Sequence, residues 1–201
     1  MQYLVCVFLI PLWIYLLYVL KRSKLNFWYF ITGSFGLFIL MMVLVRPVLT
    51  EPLAKVVAAM AGVFGKLTGT FSAFFRYGVL FIHSKGGSIT LQVDFECSGI
   101  IEIMAFLSLL SFYQVYTVRE KLLTGILGTV AILLANALRI LVICELLYFG
   151  GIGMYFIAHA VVGRLIFYGL SVMLYFYVFT KPQIIRMTVG KFKYGDGGQA
   201  S

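Results

Sequence analysis

The chain of 201 residues is 62% hydrophobic and only 11% charged, with a mean hydropathy of +1.03, more apolar surface than a soluble core of this length can enclose. An ordinary soluble domain is thereby excluded and an integral membrane protein expected. The net charge of +9 comes from short basic clusters between apolar runs, so it reads as membrane topology and no nucleic-acid partner is expected.

A helix needs about 20 apolar residues to cross a bilayer, where every backbone polar group must bond internally. Five runs qualify: Tyr3–Leu20, Phe27–Val45, Cys97–Tyr116, Leu122–Phe149 and Met154–Thr180. The first lacks a basic segment before it and a small-residue cleavage site after it, so it reads as a retained helix. Lys21, Arg22 and Lys24 follow the first run, Arg119 and Lys121 the third, and Lys181, Arg186, Lys191 and Lys193 the fifth. Placing all three clusters in the cytoplasm puts the N-terminus, residues 46–96 and the turn Gly150–Gly153 on the outer side.

Residues 53–81 are apolar but interrupted by Lys55, Lys66 and Arg76. A single crossing there would invert every later cluster, so amphipathic or re-entrant helices on the outer surface, or a pair of shallow crossings, are expected. A Gly-Gly punctuation and a short alternating run, Ile89–Phe95, then predict a strand-like piece leading into the helix that opens near Cys97. The fold class is all-α: a polytopic transmembrane helix bundle of five clear spans forming one domain over 1–201, with a core at 94–170 and a basic cytoplasmic tail at 181–201.

Ionisable side chains inside spans are costly and mark pairs, pathways or sites. Glu102, Arg139, Glu145, His159 and Arg164 qualify, and Asn136 shares a helical face with Arg139. Along its helix Arg139 lies roughly 25 Å from the cytoplasmic start, and His159 only about 8 Å from the outer turn. Cys97 opens its own helix from that same side. A thiol, a guanidinium and an imidazole are therefore expected at one depth near the outer surface.

Such a set has a chemistry. The thiolate is the nucleophile, an imidazole can take and return the proton, and a guanidinium can hold an oxyanion or a substrate carbonyl or carboxylate. Bland readings stand beside it: Cys97 as packing, His159 as a buried hydrogen-bond partner, Arg139 as a snorkelling side chain. Glu102 and Arg164, each five residues beyond Cys97 or His159, read as structural partners or as substrate contacts, and Glu145 as an interfacial residue. Gly163, four residues after His159, permits close approach of another element. No disulfide framework or CxxC pair is visible, and no metal or cofactor is expected. A small transporter with a Glu102–Arg139–His159 polar relay, or a helix-pairing assembly partner, would use the same polar residues without catalysis.

The ordered set ECSGI at 96–100, NALRI at 136–140 and HAVVG at 159–163 resembles the exosortase/archaeosortase family, over roughly residues 94–170. In length the chain is similar to the short exosortase G type of Gram-positive bacteria. The resemblance implies a membrane cysteine transpeptidase or protease that processes C-terminal sorting signals of exported proteins. Each such signal is a short motif, a transmembrane helix and a basic tail. By the same resemblance Cys97 would be the nucleophile, His159 the acid/base and Arg139 the stabiliser. Asn136, Arg164 and Glu102 are then the candidate substrate-binding residues, and the active site faces the outer side of the cell membrane.

Overall fold

The computed structural model describes residues 2–84, 87–93 and 95–184. Helices α1 (Gln2–Arg22) and α2 (Asn26–Leu44) form an apolar hairpin, and the Trp13 indole donates to the Thr32 carbonyl at 3.0 Å across it. Helix α3 (Arg46–Thr68) follows α2 after the single residue Val45, whose backbone stays helical (φ −92°, ψ −37°). Pro47 sits in the first turn of α3, where a missing N–H costs nothing.

Residues 53–81, expected as one or two amphipathic or re-entrant helices or a pair of shallow crossings, begin within one 23-residue helix, α3, which is long and apolar enough to cross a membrane. Its buried residues, Ala54, Val57, Ala58, Ala61, Gly62 and Gly65, recur every three or four positions and lay one face of small side chains against its neighbours. Gly69, at φ 69°, ends the helix, and the chain then turns to strands rather than further helix.

Three strands, β1 (Phe71–Phe74), β2 (Val79–Ser84) and β3 (Gly87–Gln92), form an antiparallel meander in the order β1-β2-β3. Leu80 lies opposite Leu91, and Ile82 opposite Phe71 and Ile89. The strand expected at Ile89–Phe95 is thus β3, shifted toward the N-terminus, while β1 and β2 stand where helix was expected. The rest of the bundle is helical as anticipated.

After β3 a short 3₁₀ turn, Phe95–Cys97, leads into helix α4 (Ile100–Phe112). With 13 residues α4 is only about 20 Å long, short of a full crossing, whereas a span over Cys97–Tyr116 was expected. Gly99 in the left-handed region (φ 76°) delays its start, and the extended Tyr113 (φ −71°, ψ 116°) stops it. Helix α5 (Val118–Gly150) opens on a capping box, with the Thr117 hydroxyl accepting from the Glu120 N–H and the Glu120 carboxylate accepting from the Thr117 N–H. Its 33 residues extend about 50 Å.

The last helical stretch, Ile152–Ile184, contains α6 (Gly163–Tyr175) between two π-helical turns, Ile157–Val162 and Phe176–Thr180. The hydroxyls of Tyr113 and Tyr116 donate to the carbonyls of Phe179 and Val178 in the second of these, at 2.6 and 2.7 Å. Among the described residues, α2, α3, α5 and Ile152–Ile184 are long and apolar enough to span a membrane. Residues 185–201 of the expected basic tail, with Arg186, Lys191 and Lys193, lie outside the described residues.

Two cores are stacked along α5. One, the cap, joins α3, the sheet and the second half of α5 through Val57, Ala61, Leu80, Ile82, Ile143 and Leu147. The other joins α4, the first half of α5 and the last helix through Ile103, Phe106, Ile132 and Phe167.

Candidate active site

The seam between the two cores carries the polar residues. Cys97 ends the 3₁₀ turn that follows β3, and Ser98 fastens that turn. Its hydroxyl donates to the Phe95 carbonyl at 2.8 Å and accepts from the Ile100 N–H at 3.4 Å. Gly99 then adopts a backbone that other residues rarely do. A side chain there would also meet the Asn136 amide at 3.3 Å.

Asn136 and Arg139 lie three residues apart on one face of α5, and both are buried. The Asn136 amide donates to the Cys97 carbonyl, so α5 holds the turn by its backbone. Arg139 places Nη2 3.8 Å from Cys97 Sγ, and its guanidinium lies 5.7 Å from the centroid of the Phe167 ring on α6. His159 sits in the first π-helical turn of the last helix, where the Gly163 N–H reaches back five residues to the Ala158 carbonyl. Its Nε2 lies 3.9 Å from Cys97 Sγ. Tyr155, four residues earlier, stacks on the imidazole at 5.5 Å with planes only 2° apart.

Cys97 is 5% exposed. Its sulfur is thus withdrawn from bulk solvent between a permanent cation and an imidazole. His159 is half-buried. The structure brings Cys97, Asn136, Arg139 and His159 together from three separate segments.

The other candidates separate. Glu102, partly buried on the first turn of α4, is within electrostatic reach of Arg139 but makes no contact with the sulfur among those described. Arg164 is exposed on α6 and has no ion-pair partner among the described residues. Glu145 accepts from Thr70 at 2.7 Å, tying α5 to the residue before β1, outside the site. Gly163 lies against α5, where a Cβ would come within 2.8 Å of Ile143 Cδ1, so it does allow the close approach its spacing suggested.

Sequence reasoning missed Tyr155, Phe167 and Ser98. The four-residue spacing of Tyr155 and His159 was a usable signal for stacking on a helix. The position of Phe167 depends on how α6 is rotated and had none.

The family model of the transmembrane exosortases matches residues 1–177. No curated protein and no solved structure matches the chain. The match takes in α1 to α5, the sheet, the seam and the last helix as far as its second π-helical turn, and the chain belongs to the transmembrane exosortase family.

Proposed function

We propose that this multi-pass membrane protein is a cysteine transpeptidase or protease that processes C-terminal sorting signals of exported proteins through a thioacyl intermediate. The observation that carries the reading is the position of Cys97 Sγ, 3.8 Å from Arg139 Nη2 and 3.9 Å from His159 Nε2.

In this reaction His159 Nε2 takes the Cys97 proton and the sulfur adds to the scissile carbonyl carbon. The oxygen of the tetrahedral adduct carries the negative charge, and the Arg139 guanidinium stabilises it. Collapse breaks the C–N bond, the imidazolium returns its proton to the leaving amine, and a thioester on Cys97 remains. An acceptor amine or hydroxyl, deprotonated by His159, then attacks the thioester and the thiolate departs. With water as acceptor the same steps are hydrolysis. Asn136 acts as a positioning residue, since its amide is engaged by the Cys97 carbonyl. Glu102 balances the charge of Arg139, and Arg164 remains exposed for contact with the substrate helix. The substrates carry a motif, a transmembrane helix and a basic tail, and the site faces the outer side of the cell membrane, a reading supported by the basic clusters at the end of α1 and at the start of α5, which belong in the cytoplasm.

The test is Cys97→Ala in the native host, following the size and membrane release of exported proteins with C-terminal sorting tails. Accumulation of the uncleaved forms is expected, with the variant still present at wild-type level in the membrane. Normal processing would remove the reading and favour a polar-relay transporter or a helix-pairing partner, for which Cys97 is incidental.

A further inference from the structure

At the end of the bundle away from the seam, a groove of about 1000 Å³ lies between the start of α2, the end of α4 and the last helix. It follows from how the helices pair: α2 packs along α4 and the last helix along α5, so the side between α2 and the last helix stays open. The rings of Phe30, Phe112, Tyr175 and Phe179 line it, and one wall is fixed by the Tyr113 and Tyr116 hydroxyls on the carbonyls of Phe179 and Val178. Its mouth has another chemistry. Asn26, Gln114, Thr180 and Gln183 meet there, at the ends of their elements that carry the basic clusters.

The depth of the groove limits what can fill it. Along the last helix it runs from Tyr168 to Gln183, about 22 Å at the helical rise, which matches one leaflet with its headgroup region at about 20–22 Å and falls short of the 30 Å or so that a spanning helix occupies. The charge at the mouth limits it further. Lys24 precedes Asn26 by two residues, and Lys181 follows Thr180 with its ammonium 5.1 Å from the centroid of the Tyr177 ring. Both lysines are exposed, and Lys21, Arg22, Arg119 and Lys121 lie at the same end of the bundle. Among the described residues the carboxylate at that end is Glu120, engaged in the capping box with Thr117. An apolar trough one leaflet deep, with amides and unopposed lysines at its rim, suits two acyl chains under a negatively charged headgroup. A choline headgroup would set its own cation against the lysines.

We propose that this groove is a binding site for one anionic diacyl phospholipid of the leaflet at the basic end of the bundle. Its acyl chains lie against the aromatic walls, and its phosphate lies among the rim amides beside Lys24 and Lys181. The lipid joins α2 to the last helix where the two do not pack on each other.

The test uses the full chain, purified in a neutral maltoside detergent and offered phosphatidylglycerol and phosphatidylcholine with the same acyl chains, with retained lipid read by native mass spectrometry. The wild type is expected to keep one phosphatidylglycerol in preference to phosphatidylcholine and to melt at a higher temperature when it is present, since a ligand of the folded state stabilises that state. Lys24→Gln with Lys181→Gln should lower the preference about three- to tenfold, the scale of two exposed ion pairs. Val172→Trp, which fills the groove from a position 67% exposed, should lower retention of both lipids. A chain-labelled nitroxide phosphatidylglycerol in nanodiscs should show a motionally restricted fraction with the wild-type protein that the Val172→Trp protein lacks.

Equal retention of the two lipids by the wild type would overturn the proposal, and so would an unchanged preference in the double lysine variant. Three further outcomes would replace the lipid with another occupant. Retention that rises on removal of residues 185–201 would seat the tail in the groove, a disulfide between two Val172→Cys copies would seat a second copy there, and displacement of the lipid by a synthetic transmembrane helix would make it a helix-docking groove. None of these readouts involves Cys97, so the lipid site and the transpeptidase reading stand or fall separately.

Discussion

The two cores hold their parts together in different ways. In the cap, helix meets sheet through small residues: a Cβ on Gly62 would lie 2.5 Å from that of Ala73, and one on Gly65 only 2.6 Å from the Phe71 carbonyl oxygen. In the other half, rings meet rings. Phe106 packs edge-on against Tyr175 and Phe179, Tyr113 against Tyr116 and Phe179, and Phe112 against Trp13 and Tyr29. Backbone set against backbone leaves no rotamer by which a misfit can be relieved, whereas rings can turn and repack. Cys97 hangs from the rigid side, on the turn that follows β3. Arg139 and His159 come from the two long helices that run through both cores. The tighter packing thus lies where the sulfur has to be placed.

The sharpest way to break this contrast is a pair of single-methyl additions. Gly65→Ala forces a methyl against a carbonyl oxygen and should cost about 1–3 kcal/mol, with a fall in Cys97-dependent processing. Gly33→Ala, in α2, has the Phe112 ring, a side chain rather than backbone, as its nearest neighbour and should cost less than Gly65→Ala, with processing unchanged. Thermal unfolding in detergent, read beside processing in the host, compares them. Equal effects would mean that the two cores are equally rigid.

A smaller effect is expected at the seam. Asn136→Ala removes the amide that holds the Cys97 carbonyl, a cost of about 1 kcal/mol. Processing should fall further than stability alone explains, because the turn is released. Cleavage rates at matched membrane levels measure the difference, and Asn136→Gln should not restore them. Tyr155→Leu should slow processing only severalfold, since an aromatic pair contributes about 0.5–1.5 kcal/mol, and Tyr155→Phe should be near wild type.

The smallest effect belongs to the ring-packed half. Tyr113→Phe and Tyr116→Phe each lose one hydroxyl bond to a carbonyl of the second π-helical turn, worth about 0.5–1.5 kcal/mol apiece. The melting temperature should drop slightly and processing should not change. A processing defect from either would show that the second core also sets the geometry of the site.

Helices α1, α2, α5 and the last helix were legible because each is a sustained apolar run, and observed ends such as Val118–Gly150 fall within a few residues of the expected ones. Helical rise alone brought Arg139 and His159 to one depth. The sheet was not legible. FSAF and VLFIHS continue the apolar character of α3, and only the backbone of Gly69 and Gly78, both at positive φ, turns the chain out of helix. The delayed start of α4 likewise hangs on Gly99. Within the site, depth could be computed but rotation could not. That Asn136 meets the Cys97 backbone, that Phe167 faces Arg139, and that a π-helical turn carries His159 all depend on how neighbouring helices pack.

The burial of the sulfur bears on the fate of an acyl group held there. Under the proposed mechanism, a thioester formed at a residue only 5% exposed would be screened from bulk water on most sides. Hydrolysis and transfer would then compete for approach to that buried sulfur, and an acceptor kept at the membrane surface would compete there through proximity more than through reactivity. Widening that approach should shift the products toward released, carboxyl-ended protein without changing the first cleavage step.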